Sequence, residues 1–430
     1  MLQAPKGTHD ILPDEQPYWR YLFRIFEKCA LKSGFEKIEV PIFENTALFK
    51  RSIGETTDIV EKEMYTFLDK SRNSMTLRPE FTAGIMRAYL EHGMFTLPQP
   101  VKLYYFGPVF RYDRPQQGRY RQFNQFGFEI FGETEPVIDA QLVTLVWNVY
   151  QKLKLKDISL QINSLGCPTC RERYKRELVD YYIMERDQLC PDCKRRLKKN
   201  PLRILDCKNE NCLALSANAP QIIDRLCENC NQHFQNVLEY LDEVRVPYEL
   251  NPHLVRGLDY YNRTTFEIWS KKKSAQNAIG GGGRYDGLAK TLGSKDVPAI
   301  GFAGGCERII ELLKEQEVRI PEEQNTPVFL IQLGEQGRKR GLALTEELRD
   351  KGIGVADALG KSSLKAQLKL ADKRKSKIAI IIGQREAAKQ TIIMRDMQGG
   401  TQNEVPFEKA VEKICLLYTS DAADDLLCVD

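Results

Sequence analysis

Eight of the chain's twelve cysteines lie between Cys167 and Cys230, and six of these stand in CxxC pairs. The pairs are Cys167-Pro-Thr-Cys170, Cys190-Pro-Asp-Cys193 and Cys227-Glu-Asn-Cys230, with Cys207 and Cys212 as a looser fourth. Two thiolates at CxxC spacing bend round one cation, and two such pairs complete the tetrahedron that Zn²⁺ prefers. Eight thiolates therefore permit two four-cysteine zinc sites, and the spacing leaves open which pairs combine. The alternative is a set of free thiols in a packed small domain. A disulfide framework is disfavoured. The N-terminus, MLQAPKGTHDILPDE, lacks the apolar stretch and cleavage site of a signal peptide, which points to a cytoplasmic, reducing setting.

A second group of residues suits phosphate. Arg111, Arg119, Arg121, Arg256 and Arg308 stand on strand-like or helix-opening segments beside Gly-rich turns. Planar guanidinium groups there favour bidentate phosphate recognition, although surface ion pairs worth roughly 0–1 kcal/mol would use the same residues. There is no GxxxxGK[ST], GKSS at 360–363 lacks the first glycine, and Gly280 to Gly283 opens no GxGxxG helix. A nucleotide would therefore bind in neither a Walker nor a Rossmann site. In RYRQFNQFGFEIFG, period two sets Arg121, Phe123, Gln125, Gly127 and Glu129 on one face and Asn124, Phe126, Phe128 and Ile130 on the other. Gln125 and Glu129 then lie roughly 13 Å apart at about 3.3 Å per residue, an amide and a carboxylate suited to a small zwitterion. Gly127 between them leaves room for a ligand on the backbone. A solvated sheet face would show the same pattern. His9, His92, His233 and His253 have no partner at nucleophile or ligand spacing, His233 near Cys230 excepted, and read as structural or incidental.

These residues need a frame. Trp19, Leu22, Phe23, Phe26 and Ala30 recur at helical spacing between Pro17 and Gly34. KIEVPIF reads as a strand whose Pro41 marks an edge or an interface. Residues 100–132 form a long antiparallel hairpin with Arg114-Pro115-Gln116-Gln117-Gly118 as its tip. The stretch 164–235 is cysteine-rich and basic, with KRRLKK at 194–199. Its polar composition predicts little core, so that one zinc site, at about 10–16 kcal/mol, would supply folding free energy. Strand-like sequence resumes at Leu254, and VPAIGFAGGCERIIELL reads as a strand turning into a helix. A charged, proline-bounded linker at 315–327 precedes PVFLIQL, IGVADA, KIAIIIG and QTIIMRDM, which alternate with helices as in a small α/β domain. No internal repeat is present. The end, YTSDAADDLLCVD, fits nothing upstream and reads as a non-native or disordered tail at 418–430.

Composition narrows the classes. Lys+Arg 63 against Asp+Glu 59, 42% hydrophobic and 28% charged residues exclude a polycation and wholesale disorder. The longest apolar run of note, Ile378 to Ile382, is far short of the roughly 18 residues that span a bilayer. At 430 residues, roughly three domains are expected.

Taken in order, the motifs resemble those of class II aminoacyl-tRNA synthetases, and of the histidyl-tRNA synthetases among them. KIEVPIFE resembles motif 1, FRYDRPQQGRYRQFNQFGFEIFG motif 2 and GFAGGCERI motif 3. LVRGLDYYNRTTFE and GGGRYDGL are similar to the two signature segments of the histidyl enzymes, and TLRPEFTAG to their amino-acid loop. The resemblance runs from Lys6 to about Leu416. It implies an α+β fold: a catalytic domain (1–321) with a six- or seven-stranded antiparallel sheet flanked by helices, the Cys-rich insertion (164–235) within it, and a C-terminal α/β anticodon-binding domain (326–417). It implies a cytoplasmic homodimer, joined through motif 1, that activates L-histidine with ATP and Mg²⁺ and transfers it to the 3′ end of tRNA(His). Arg111 and Arg256 would be catalytic at the α-phosphate, with Arg256 where related enzymes place a metal ion. Arg308 would hold the γ-phosphate end, with Arg119 and Arg121 near ATP. Glu80, Thr82, Gln125, Glu129, Tyr260, Tyr261 and Tyr285 would bind histidine. Arg114 and Gln116 would meet the acceptor stem, the insertion would clamp the acceptor arm, and Lys365, Lys369, Lys373, Arg374, Lys375 and Lys377 suit the anticodon region. The chain departs from the commonest pattern at Phe81, where glycine is frequent, and at Asn124, where histidine is. Many relatives lack the cysteines, so zinc would be structural. Two other readings remain: a non-catalytic histidine-binding regulatory paralogue, which would have lost catalytic arginines, and a zinc-ribbon nucleic-acid adaptor, which leaves six motifs unused.

Overall fold

The computed structural model describes residues 2–55, 57–116, 118–271, 277–321, 328–358 and 362–416. The tail at 418–430 lies outside them, as do Gln117 at the hairpin tip and 322–327 of the linker. The chain forms two compact units, Met1–Pro321 and Glu322–Asp430.

The first helix, Gln16–Lys32, has Pro17 in its opening turn, where the missing N–H costs nothing. It stops just before Gly34, whose φ of +74° is the left-handed conformation a helix end favours. Eight strands make the main sheet: β1 (Glu36–Lys37), β2 (Val101–Phe110), β3 (Gln122–Phe131), β4 (Ile158–Ser164), β5 (Glu249–Leu250), β6 (Asn262–Ser270), β7 (Ala278–Arg284) and β8 (Ala299–Gly305). Their order is β1-β2-β3-β8-β7-β6-β4-β5. The six central strands pair antiparallel. The sheet exceeds the expected six or seven strands because a two-residue strand adds in parallel at each edge.

KIEVPIF is not one strand. It divides into β1 and Phe43–Asn45, which joins a separate three-stranded sheet, because Pro41 has no N–H to continue a ladder. The strand expected from Leu254 begins only at Asn262, leaving 254–261 as a loop over the sheet.

Alternation along β3 divides the two cores. Phe126, Phe128 and Ile130 pack with Phe26, Val146, Phe234 and Ile309 from helices on one side. On the other, Leu103 and Tyr105 lie in a second cluster that runs on into the cysteine-rich insertion. The insertion buries more core than its composition predicts: Tyr174, Leu178, Tyr182, Leu197, Leu202, Ile204 and Ile222 are all in that cluster. Its apolar residues are spread among basic ones at helical spacing, so average polarity hides them. Three knuckles open helices, Pro168–Met184, Pro191–Lys199 and Glu228–Glu243. In each, the first cysteine is the cap and the second falls in the first turn, which is why CxxC turns both sulfurs to one side.

In the second unit, strands Val355–Asp357, Val328–Gln332 and Ile378–Ile382 are parallel neighbours, and Thr391–Asp396 and Gln402–Pro406 add antiparallel. Helices Gly334–Asp350, Leu364–Lys373 and Gln384–Lys389 complete the expected α/β domain. Among the described residues no helix is long and apolar enough to cross a membrane.

Candidate active site

A row of residues crosses five strands in register: Tyr105, Gly127, Ala303, Gly281 and Glu267. The small residues in its middle make a trough between a tyrosine and a carboxylate. Over it lies a cavity of about 300 Å³ whose walls include Glu80, Thr82, Arg111, Arg119, Gln125, Arg256, Tyr260, Tyr261 and Arg308. The space above Gly127 is not free for a ligand, however. A Cβ there would collide with the Tyr105 hydroxyl and the Phe302 carbonyl, so the glycine makes room for a neighbouring strand's side chain. Gly281 likewise makes room for the Arg256 guanidinium.

The arginines are held by fixed partners. Arg111 Nε donates to the Pro79 carbonyl at 2.9 Å, with its guanidinium 5.5 Å from the Phe123 ring centroid. Arg308 donates to the carbonyls of Gly118 (2.9 Å) and Ala278 (2.6 Å). Burial lowers the pKa of both, and for Arg308 the nearby Arg119 and Arg111 lower it further. Arg256 pairs with Glu267, whose other oxygen accepts the Trp269 indole N–H at 2.7 Å. Burial works against the Arg256 charge, and the Glu267 carboxylate together with the Tyr261 and Tyr260 hydroxyls outweighs it, raising its pKa. Arg119 pairs with Asp113.

Arg121 is not at the cavity. It precedes β3 rather than lying in it, so alternation does not fix its direction. Its guanidinium sits 3.8 Å over the Tyr112 ring and donates to the Asp113 carbonyl at 3.2 Å. Arg114 and Gln116 are exposed at the hairpin tip, away from the cavity walls.

Glu80 is fully buried at the start of helix Thr82–Glu91 and accepts the N–H groups of Thr82 (2.6 Å) and Ala83 (2.9 Å). Burial raises its pKa and those two bonds oppose the rise. Glu129 is buried against Thr82 of the cavity wall, with Tyr285 beside it. The Tyr285 hydroxyl donates to Glu129, and Thr82 Oγ1 donates to its other oxygen at 2.7 Å. Burial pushes the Glu129 carboxyl up to about 8, against the pull of those bonds. Gln125 is buried, and its side-chain oxygen has no hydrogen-bond partner among the described residues. Such an acceptor is costly unless a ligand meets it. Phe81 stacks on Tyr105 at 4.2 Å with Arg78 over its other face. Asn124 donates its backbone N–H to Glu307 at 2.8 Å; burial pushes Glu307, at the cavity wall, up to about 7.

Tyr105 and Glu267 were missed from sequence. Counting across the hairpin from Gly127 finds Tyr105; Glu267 needs the non-local pairing of β6 with β7, which no short-range signal carries.

The eight cysteines gather as two tetrads, Cys167/Cys170/Cys227/Cys230 and Cys190/Cys193/Cys207/Cys212, with the sulfurs of each within 4.8 Å of one another. This settles which knuckles combine. His233 joins neither: its Nε2 is 3.8 Å from Asp139, and burial lowers its pKa to about 4.

Residues 7–167 and 195–309 match the family model for histidyl-tRNA synthetase, and 327–415 the anticodon binding domain. The histidine–tRNA ligase of Desulfitobacterium hafniense is 47% identical over 421 residues, covering 98% of this chain and 99% of the relative. That of Halothermothrix orenii is 47% identical over 414 residues, covering 96% and 99%. The crystal structure of apo S. aureus histidyl-tRNA synthetase superposes with a TM-score of 0.81 at 36% identity, covering 96% of this chain and 99% of that one.

Proposed function

This chain belongs to the histidyl-tRNA synthetase family, and we infer that it acts as a histidine–tRNA ligase: it activates L-histidine with ATP and transfers it to tRNA. The observation that carries this is the cavity itself. Arg111, Arg256 and Arg308 surround a space that also holds the unpartnered amide oxygen of Gln125. The histidine carboxylate attacks the α-phosphorus of ATP in line and expels pyrophosphate, a step that needs little beyond positioning and charge stabilisation. Arg111 and Arg256 serve the α-phosphate, Arg308 the γ-phosphate end, and Arg119 the nucleotide. Arg121, turned toward Tyr112, serves the shape of the hairpin instead.

Glu80, Thr82 and Gln125 serve the amino and carboxylate groups of histidine. Glu129, Tyr260, Tyr261 and Tyr285 serve its ring, with Glu129 accepting an imidazole N–H. A pocket that pairs both ring nitrogens leaves buried polar groups unmet by another amino acid, and rejects it by roughly 10⁴–10⁵ without editing. Mg²⁺ enters with ATP and would neutralise phosphate charge; Glu307, at the cavity wall, is the carboxylate that would face it. The cysteine tetrads would hold Zn²⁺ in a structural role.

The transfer step needs tRNA. Arg114 and Gln116 at the hairpin tip suit the acceptor stem, as does the basic insertion (164–235). The exposed Lys365, Lys369, Lys373 and Arg374 of the second unit (326–417) suit the anticodon region. The exposed Ile42, Phe43, Phe67 and Leu68 beside Pro41 suit a second copy of the chain in a homodimer, within the cytoplasm. The regulatory alternative is not favoured, since Arg111, Arg256, Arg308 and an anticodon-binding domain are all retained. Pyrophosphate exchange with each amino acid in turn tests the reading: exchange is expected with histidine alone. Histidine binding with no exchange at all would restore the regulatory alternative.

A further inference from the structure

Each cysteine tetrad is linked by one side chain to the loop that carries Arg256, Tyr260 and Tyr261. In the first tetrad, Cys167 and Cys170 Sγ are 3.6 Å apart, and the Cys227 N–H donates to Cys170 Sγ at 3.1 Å. In the second, Cys190 and Cys207 Sγ are 3.9 Å apart; the Cys190 N–H donates to Cys212 Sγ at 3.3 Å and the Cys193 N–H to Cys190 Sγ at 3.4 Å. Zn–S bonds of about 2.3 Å set a tetrahedral edge of about 3.8 Å, the spacing of these sulfurs, whereas a disulfide needs about 2.0 Å. Backbone N–H groups pointing at the sulfurs are the outer contacts that orient metal-bound thiolates.

The links are specific. Arg171 follows Cys170 and donates from Nη1 to the Tyr261 carbonyl and, at 3.4 Å, to the Asp259 carbonyl. Asn200 ends the helix that Cys190 opens, and its Nδ2 donates to Asp259 Oδ1 at 2.8 Å. From the same region Arg203 reaches Asp58 at 2.7 Å and Lys199 reaches Glu61 at 2.8 Å. The loop is thus gripped from behind by two residues, each fixed to a different tetrad, while its front walls the cavity.

We propose that the tetrads are two zinc–thiolate sites, one ion each, and that they support histidine activation through Arg171 and Asn200, which position the loop 256–261. The positioning half rests on the reading of that loop as part of the histidine site.

Full-length protein purified under reducing conditions should carry two zinc per chain by elemental analysis, with Cys193→Ser and Cys230→Ser each carrying one. Less than about 1.5 zinc per chain with all thiols reduced, or a variant that keeps both ions, overturns the metal sites. If the serine variants do not fold, cobalt(II) substitution of the unaltered chain decides, since tetrathiolate sites give intense thiolate-to-metal absorption and its absence overturns them. Arg171→Met should keep both zinc ions and raise the KM for histidine about tenfold or more, with the KM for ATP little changed and Arg171→Lys recovering part of the loss. An unchanged histidine KM overturns the positioning role. Two zinc ions without histidine-dependent exchange would refute the ligase reading and leave the metal sites standing; exchange without zinc would do the reverse.

Discussion

The arginine cavity and the cysteine tetrads both gather side chains from distant parts of the sequence, but they are completed differently. In the cavity every arginine already has a partner supplied by the fold: a Pro79 carbonyl for Arg111, Glu267 for Arg256, the Gly118 and Ala278 carbonyls for Arg308. The geometry stands before any ligand arrives, as electrostatic preorganisation requires. In the tetrads the sulfurs face one another, with backbone N–H groups behind them. Sheet register builds the first site; helix starts aim the second, whose thiolates are placed for an ion to close it. Damage to the frame of the sheet should therefore cost stability, damage in the cavity should cost rate, and damage behind the tetrads should cost histidine affinity.

The largest effect is expected where the sheet's frame is broken. Arg284 on β7 is fully buried and donates to Asp139 at 2.7 Å, to Asp286 at 3.1 Å and to the Glu133 carbonyl at 3.1 Å. Arg284→Met strands the Asp139 carboxylate, a loss of about 3–5 kcal/mol in stability. Urea unfolding measures it. A cost below about 1 kcal/mol would show that the sheet does not depend on its own buried pair.

Next comes Arg256→Ala, which should slow adenylate formation by about 10²–10³, or about 2.7–4 kcal/mol, because a fixed donor aimed at developing charge is lost. Single-turnover adenylation is the measurement. The histidine KM should move much less than in Arg171→Met, which would separate a residue acting on the phosphate from one that holds the loop. A rate loss below about threefold would leave Arg256 no catalytic part.

What was legible in the sequence divides along the same line. Period two along β3 correctly separated Phe126 and Phe128 from Gln125 and Glu129, since alternation is a local property of a strand. It failed at Arg121, one residue before the strand, and at Gly127, whose space is filled by Tyr105 from the neighbouring strand. CxxC spacing announced ligands, but which knuckles combine depends on helix packing across some 60 residues, and only the folded chain shows it. The insertion's core was hidden for a related reason: Tyr174, Leu178 and Tyr182 form a helical stripe within a strongly charged segment.

The smaller effects concern Glu129. Its replacement by Gln removes the charge and turns one of its two acceptor oxygens into a donor amide, and should raise the histidine KM by about 1–3 kcal/mol in binding terms, with the ATP KM nearly unchanged. Smaller still is the pH dependence. Burial holds this carboxyl at about 8, above its usual 4.5. A group raised in this way favours the folded state fully below its unfolded pKa, and that contribution is lost as pH rises through about 8. Ligand binding runs in the opposite sense, because only the ionised carboxylate can accept the ring N–H. Between about pH 7.5 and 8.5, with free imidazole largely neutral, the histidine KM of the unaltered enzyme should fall with rising pH, by at most about tenfold per unit. In Glu129→Gln the same profile should be flat. A matching slope in both proteins would place the titrating group elsewhere in the cavity, with the buried Glu80 as the next carboxylate to replace.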